Sequence, residues 1–332
     1  MHTLIIAEAG VNHNGRLDLA IELCDAAKEA GADVVKFQTW ITEKIITCNV
    51  EQAEYQKNNT GSNQSQFDML KGLELSYEDF TKVKEHCDRI GIQFASTADE
   101  EDSLDFLINL GIPFIKIGSG DIGNISYLRT IGSKHMPVIL STGMSTIEDV
   151  RLSVEALRQG GASEISLLHC TTNYPCPYES VNLAAMDTLR KEFNLTVGYS
   201  DHTMGIAVPI AAVARGASII EKHFTLDRSM EGPDQIASTE PEEFKKMVDS
   251  IRQIETAIGD GIKKPTDSEV EISKVVLKRI VAKRPIKKGA VITQDDICVK
   301  RNDTGYAARD WDKVVGAVAS CDANIDEAVE ID

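Results

Sequence analysis

The sequence predicts an α/β fold, a (β/α)8 TIM barrel over residues 1–260 followed by a linker (261–278) and a small second domain (279–332). Three observations predict it. Short apolar runs alternate with helical periodicity eight times. Each run ends in polar residues. After Gly259 the texture changes to a polar stretch and then to short strands with frequent turn signals. A doubly wound sheet is the competing reading, because alternation alone does not prove closure.

The apolar runs have the length and Val/Ile/Leu content of buried parallel strands. They are "TLIIAEAG" (3–10), "DVVKFQT" (33–39), "IQFAST" (92–97), "FIKIGSG" (114–120), "PVILSTG" (137–143), "EISLLHCT" (164–171), "LTVGYSDH" (195–202) and "SIIEKHF" (218–224). The first helix, "RLDLAIELCDAAKEAG", places Leu17, Ile21, Leu23, Ala26 and Ala27 near one face and ends on Gly31. "SYEDFTKVKEHCDRIG" opens on Ser76 as N-cap and ends on Gly91. "STIEDVRLSVEALRQGG" opens on Ser145 and stops at Gly160-Gly161, and "EPEEFKKMVDSIRQIETAIG" follows the eighth strand. Segment 40–75 is long for a connection, which marks it as functional. "DGIKKPTDSEVEIS" reads as the linker, and the small domain after it needs a docking surface for stability.

Composition narrows the function. The chain has 332 residues, 42% of them hydrophobic but only 5% aromatic, so Ala, Ile, Val and Leu do most of the packing. The net charge of −17 without any Lys/Arg-rich run excludes nucleic acid as a partner. An anionic ligand needs a local basic pocket against that background. The N-terminal "MHTLIIAEAG" lacks a basic n-region and a long apolar run, so no signal peptide and no membrane association are expected. Seven cysteines without a CxxC pair point to free thiols and a cytoplasmic location. Cys170 reads as a buried strand-end thiol rather than a nucleophile.

The C-terminal ends of barrel strands build the active site. Here they supply Glu8, Lys36 with Gln38, Ser96 with Thr97, Lys116 with Ser119, Ser141, Thr171 with Thr172, Ser200 with Asp201 and His202, and His223. Thr97, Ser141 and Ser200 taken singly could cap the following helices. Lys36 and Lys116 sit inside apolar strands, and a buried lysine needs an anionic partner. Both facing one pocket points to a phosphate or carboxylate ligand; a structural salt bridge to Glu8 is the alternative. His202 and His223 end neighbouring strands, which suits either a divalent metal, with Glu8 helping to complete the shell, or a hydrogen-bonded pair. His13 is a third histidine in a loop, while His2, His86 and His135 read as surface residues. Asp201 either orients His202 or caps the next helix. Asp234, after the Gly232-Pro233 turn, is placed over the barrel mouth.

In the stretches "IIAEAGVNHNG", "VVKFQT", "AEYQKNNTGSNQSQFDMLKGLEL", "KIGSGD", "ILSTGM", "HCTTNYPCPYE", "GYSDHTMG", "EKHFTLDRSMEGPD" and "IKKG…VKR", the chain resembles the sialic acid synthase family. They run in family order over nearly the whole chain. The resemblance implies a barrel followed by an antifreeze-like (SAF) domain, in a domain-swapped homodimer. It implies condensation of phosphoenolpyruvate with N-acetylmannosamine and water to N-acetylneuraminate and phosphate, by C–O cleavage. It also implies that Lys36, Thr97, Lys116, Ser119, Ser141, Thr172 and Ser200 hold phosphoenolpyruvate, while Gln38, Tyr174, Asp234 and Glu8 line the amino-sugar site. His202 and His223 would bind a divalent metal, usually manganese, with magnesium or cobalt as alternatives, and act in catalysis with Glu8. Arg301 would reach the sugar's N-acyl group from the other subunit. Two positions depart from the usual pattern. Thr172 stands where some members have Asn, and Asn302-Asp303 follow Arg301 where Pro-Gly is frequent.

The nearest alternative is a legionaminic acid synthase, or another nonulosonic acid synthase, that takes a 2,4-diacetamido-6-deoxy sugar. Segment 40–75 and the surroundings of Asp234 would set that choice. Two more distant readings are a Schiff-base lyase working through Lys36 or Lys116 and a sugar-binding barrel without catalysis.

Overall fold

The computed structural model describes residues 2–48, 50–52 and 65–332, and the chain divides into two compact units, Met1–Gly259 and Asp260–Asp332. In the first unit eight parallel strands close in chain order: β1 (Leu4–Gly10), β2 (Val34–Thr39), β3 (Gln93–Ala98), β4 (Ile115–Ile117), β5 (Val138–Ser141), β6 (Ile165–His169), β7 (Thr196–Asp201) and β8 (Ile219–His223). β1 pairs with β2 on one side and β8 on the other, with Glu8 opposite both Lys36 and His223. That closure excludes the doubly wound sheet.

The two faces of each strand divide the labour. Outward residues such as Val35, Phe37, Leu140, Val197 and Ile220 pack under the helices in the main core. Inward residues stack in layers. Ile6, Val34, Ala95, Phe114, Ile139, Leu168 and Ile219 fill the lower barrel with apolar volume. One pleat period further along, the inward positions are Glu8, Lys36, Thr97, Lys116, Ser141, Ser200 and Glu221, all buried. An apolar plug below and a polar ring above leave the chemistry at one end only.

Several helix ends follow the expected chemistry. The Ser76 side chain accepts from Asp79 N, and Gly91 closes that helix in the left-handed region. Others are corrected. Helix Ile147–Gly160 is capped by Thr146, not Ser145, through a capping box with Asp149. Helix Leu17–Glu29 buries Leu19, Ala20, Leu23, Cys24 and Ala27, while Leu17, Ile21 and Ala26 pack at the margin. The buried stripe is therefore turned from the expected one, because Leu19 and Cys24 follow the helical period with Leu23 and Ala27. After β2, helices Thr42–Ile45 and Gln66–Leu73 flank residues 53–64, which lie outside the described residues, so the first half of the "AEYQKNNTGSNQSQFDMLKGLEL" motif does too.

In the second unit the stretch read as linker carries helix Asp267–Val276, started by a Thr266–Glu269 capping box. β9 (Lys278–Ala282) and β10 (Ile297–Arg301) pair antiparallel, over a small core that includes Ile280, Ile292, Ile297 and Val314. Among the described residues no helix is long and apolar enough to cross a membrane. All seven cysteines are free.

Candidate active site

The inward pleat of β1, β2, β3, β4, β5, β7 and β8 brings two ammonium groups and two carboxylates together, all four side chains buried. Lys36 Nζ lies 2.6 Å from Glu8 Oε2 and 3.7 Å from Glu221 Oε2, and donates to Thr97 Oγ1 at 3.1 Å. Lys116 Nζ lies 3.4 Å from Glu221 Oε1 and donates to Ser141 Oγ at 2.9 Å. Ser200 Oγ donates to Glu221 Oε1 at 2.9 Å. Thr97, Ser141 and Ser200 therefore serve the ion cluster and are not helix caps. The next helices are capped by Glu100 and Thr146, or carry no side-chain cap in the case of Ala207–Ala214.

The cluster sets its own charge states. Burial pushes the Glu8 carboxyl up to about 7, against the pull of Lys36. Glu221 is buried too, but Lys116, Lys36 and the Ser200 hydroxyl outweigh that and hold it below the usual carboxylate range. Burial pulls Lys36 down, yet Glu8 and Glu221 overcome it and keep the ammonium protonated, which makes it a poor Schiff-base nucleophile. Lys116 is lowered by burial, partly offset by Glu221. Burial raises the Cys170 thiol, so it is no thiolate nucleophile.

His202 and His223 come together one layer above, with ring centroids 5.5 Å apart. The Tyr174 ring packs on both, at 4.3 and 5.4 Å. Burial lowers both imidazoles, His223 most, so both are neutral at ordinary pH. His202 Nδ1 lies 2.7 Å from the Thr171 carbonyl oxygen and carries its proton there, which leaves Nε2 with a lone pair. His223 Nδ1 is buried without a hydrogen bond, 3.9 Å from Asp234 Oδ2. Two neutral imidazoles with unclaimed nitrogens fit a divalent cation of the Mn/Zn type. Among the described residues no group of three or more His, Cys, Asp or Glu gathers there, so further ligands would be substrate or water oxygens. The expectation that Glu8 completes such a shell is corrected, since its oxygens face Lys36 at 2.6 Å and Gln38 Nε2 at 3.1 Å.

The remaining expected residues divide by place. Gln38, Ser119, Thr172 and Tyr174 line one cavity of about 170 Å³ with the lysines and histidines. Ser119 Oγ accepts from Gly143 N at 3.0 Å, and a Cβ at Gly143 would stand 2.3 Å from Thr172 Oγ1, so only glycine lets these strand ends converge. Asp234 is buried beside His223 and raised by burial to about 6. Arg301 is exposed on β10 of the second unit. His13 is not in the site; it packs on Phe37 and Phe80 outside the barrel, with Nδ1 accepting from Gly15 N at 3.1 Å. His86, expected at the surface, is half-buried against Asp25. Asp201 caps no helix and makes no direct bond to the His202 ring; Lys222 and Thr203 take its oxygens.

Glu221 and Asp99 were not read from the sequence, yet both line the cavity. Strand parity could have found them, since each stands two residues from an expected inward group, Glu221 from His223 and Asp99 from Thr97. Burial raises Asp99 to about 7, with Asp121 adding to it. A larger cleft of about 760 Å³ between helices Ile147–Gly160 and Ala185–Phe193 shares Cys170 and Thr172 with this cavity. No charged residue lines it, so a polyanion belongs in the smaller one.

A family model described as the NeuB family matches residues 23–263, and one for the SAF domain matches residues 279–330. An N,N'-diacetyllegionaminic acid synthase from Legionella pneumophila is 50% identical over 321 residues, 96% of this chain and 90% of that protein. One from Campylobacter jejuni is 44% identical over 98% of each chain. Among solved structures, the N-acetylneuraminic acid synthetase of Leptospira borgpetersenii, in complex with citrate, superposes with a TM-score of 0.72 at 33% identity, covering 83% of this chain and 93% of that one.

Proposed function

The chain belongs to the NeuB family of nonulosonic acid synthases, and we propose that it condenses phosphoenolpyruvate and water with a 2,4-diacetamido-6-deoxy sugar to give N,N'-diacetyllegionaminic acid and phosphate. The observation that carries the reaction is the pair of buried lysines, each bridged to a hydroxyl, below two neutral imidazoles. The relatives at 50% and 44% identity support the diacetamido acceptor over N-acetylmannosamine, which the motifs alone suggested. N-acetylmannosamine stays as the second reading, favoured by the Leptospira structure.

In this reading Lys36 and Lys116 exchange their carboxylate partners for phosphoenolpyruvate, helped by Thr97, Ser119, Ser141, Thr172 and Ser200. They orient a multiply charged ligand in a dry site, where a fixed charge counts for far more than in water. Gln38, Tyr174 and Asp234 hold the sugar above it. C3 of phosphoenolpyruvate attacks the aldehyde carbon of the open-chain sugar, and water captures the charge that develops at C2. The tetrahedral intermediate then breaks its C–O bond to phosphate. Glu8, with its raised carboxyl, assists proton transfer. His202 and His223 would hold a divalent ion, manganese by preference, which would supply Lewis-acid polarisation at the aldehyde oxygen. The working form is a domain-swapped homodimer in the cytoplasm, with Arg301 of one subunit at the N-acyl group of the sugar held by the other. Light scattering that finds only monomer would retire that form.

The test is phosphate release from phosphoenolpyruvate with manganese and a panel of amino sugars, with mass spectrometry of the acid formed. Turnover is expected with the 2,4-diacetamido-6-deoxy sugar. Equal or faster turnover with N-acetylmannosamine would install the second reading. With ¹⁸O in the bridging position, label retained in the acid product would rule out C–O cleavage.

A further inference from the structure

Two charged side chains lie outside the lumen and take part in no step above. Asp201 ends β7, and Lys222 stands directly opposite it on β8. Their side chains are 0% and 1% exposed, and they face the helix layer instead of the cavity. The positions before them on that face, Val197, Tyr199 and Ile220, belong to the apolar core. An ion pair in such surroundings is a weak source of stability, since apolar residues of similar volume often do as well or better. Its purpose is to be sought in the geometry it imposes.

Asp201 precedes His202 and Thr203 follows it. Asp201 Oδ1 accepts from Thr203 N at 3.1 Å and from Thr203 Oγ1 at 2.9 Å. Lys222 Nζ donates to Asp201 Oδ2 at 2.5 Å and to the Thr203 carbonyl oxygen at 2.7 Å. One ammonium group therefore ties both flanks of His202 to the residue next to His223. The tie is placed where the sheet gives out, because the β7–β8 register ends at Asp201 opposite Lys222 and His202 lies one residue past it. Without further restraint, a residue there would move with its loop. Two more bonds hold His202 from the other side. Its carbonyl oxygen accepts from Cys176 N at 2.7 Å, and its ring Nδ1 donates to Thr171 O at 2.7 Å.

We propose that Asp201, Lys222 and Thr203 are positioning residues that fix His202 against His223 and thereby set the affinity of this imidazole pair for a divalent cation. The assignment rests on the metal reading given above. Lys222 acts through the backbone of its neighbours and touches neither substrate nor ion. Partners that orient a metal-binding imidazole from outside the shell typically change metal affinity without being ligands themselves.

The test is Mn²⁺ titration of the full-length, metal-free protein, followed by loss of the free-ion EPR signal, so that no turnover is needed. Asp201→Asn/Lys222→Met removes both charges at similar volume. It is expected to fold and to bind Mn²⁺ about 10- to 100-fold more weakly. Phosphoenolpyruvate affinity without metal is expected to stay unchanged, which a general loss of structure would not allow. The ¹⁵N spectrum of the His202 ring is expected to lose its single Nδ1–H tautomer. Wild-type Mn²⁺ affinity in the folded double variant overturns the assignment. If that variant does not fold, Thr203→Val deletes one bond to Asp201, and roughly 2- to 10-fold weaker binding is expected; unchanged affinity there overturns the assignment equally. His202→Ala and His223→Ala separate the two ideas. Loss of Mn²⁺ binding in both, with retention in the double variant, defeats only the positioning role. Retention in both histidine variants defeats the metal reading, and the positioning role with it.

Discussion

The Glu8 carboxyl, pushed up to about 7 by burial against the pull of Lys36, is poised to respond to whatever binds beside it. If a phosphate takes Lys36, Glu8 loses its counter-charge and its carboxyl rises further. Binding of phosphoenolpyruvate at about pH 8, where the free ligand is fully ionised, is therefore expected to take up a fraction of a proton. Calorimetry in two buffers of different ionisation enthalpy measures this. The uptake should vanish in Glu8→Gln, and heats that agree between buffers for the wild type would mean that Lys36 keeps its partner. Glu221 has the opposite setting. With two lysines and a serine hydroxyl around it, it stays ionised and bridges the two ammonium groups. Two carboxylates on one pleat thus differ in proton affinity because one has a single cation beside it and the other has two.

At the scale of elements, the strands fix the direction of side chains and the helices fix how closely strand ends approach. Helices Ile125–Gly132 and Ile147–Gly160 meet at their glycines. A Cβ at Gly160 would lie 2.3 Å from the Arg129 carbonyl oxygen and 2.9 Å from Gly132 Cα. Gly160→Ala is therefore expected to force this pair apart at a cost of roughly 1–3 kcal/mol, more than the ~1 kcal/mol that alanine's helix propensity returns. Urea unfolding checks this, and a variant as stable as wild type would show that the contact gives way freely. The same pair of helices carries β4 and β5, whose ends bear Lys116 and Ser141.

At the scale of the whole molecule, acid stability reports on buried neutral histidine. Burial between Phe37 and Phe80 lowers His13 to about 4. Below about pH 6.5 the unfolded chain binds a proton at this residue that the folded chain refuses until about pH 4. Its contribution is complete above pH 6.5 and declines as pH falls through that window, by about 3 kcal/mol. Glu8, Asp99 and Asp234, all raised, act in the opposite sense, because the folded chain takes up their protons first. The net curve therefore conceals His13, and the difference between wild type and His13→Asn is the quantity to measure. Asn keeps an acceptor for Gly15 N without a titratable ring. That difference should shrink between pH 6.5 and 4, and a pH-independent difference would mean that His13 is not held neutral.

How much of this was legible depends on the distance over which each feature is decided. Eight apolar runs, their polar ends and the change of texture after Gly259 are local facts, so the chain alone determined the succession of strands and helices, both lysines and both histidines, while closure in the order β1 to β8 came from the structure. Period-two alternation follows from backbone geometry and made the inward residues readable, as it would have made Glu221 and Asp99. Who pairs with whom was not readable, because it depends on groups brought together from distant strands. Only the closed barrel decided that Thr97, Ser141 and Ser200 serve buried ions, where local propensity allowed helix caps. It also decided that Glu8 belongs to Lys36 and not to the histidines. Asp201 is the sharpest case. Its neighbour in sequence is His202, but its partner is Lys222 across the sheet, 21 residues on, and a carboxylate in a dry interior goes to the charge that can neutralise it.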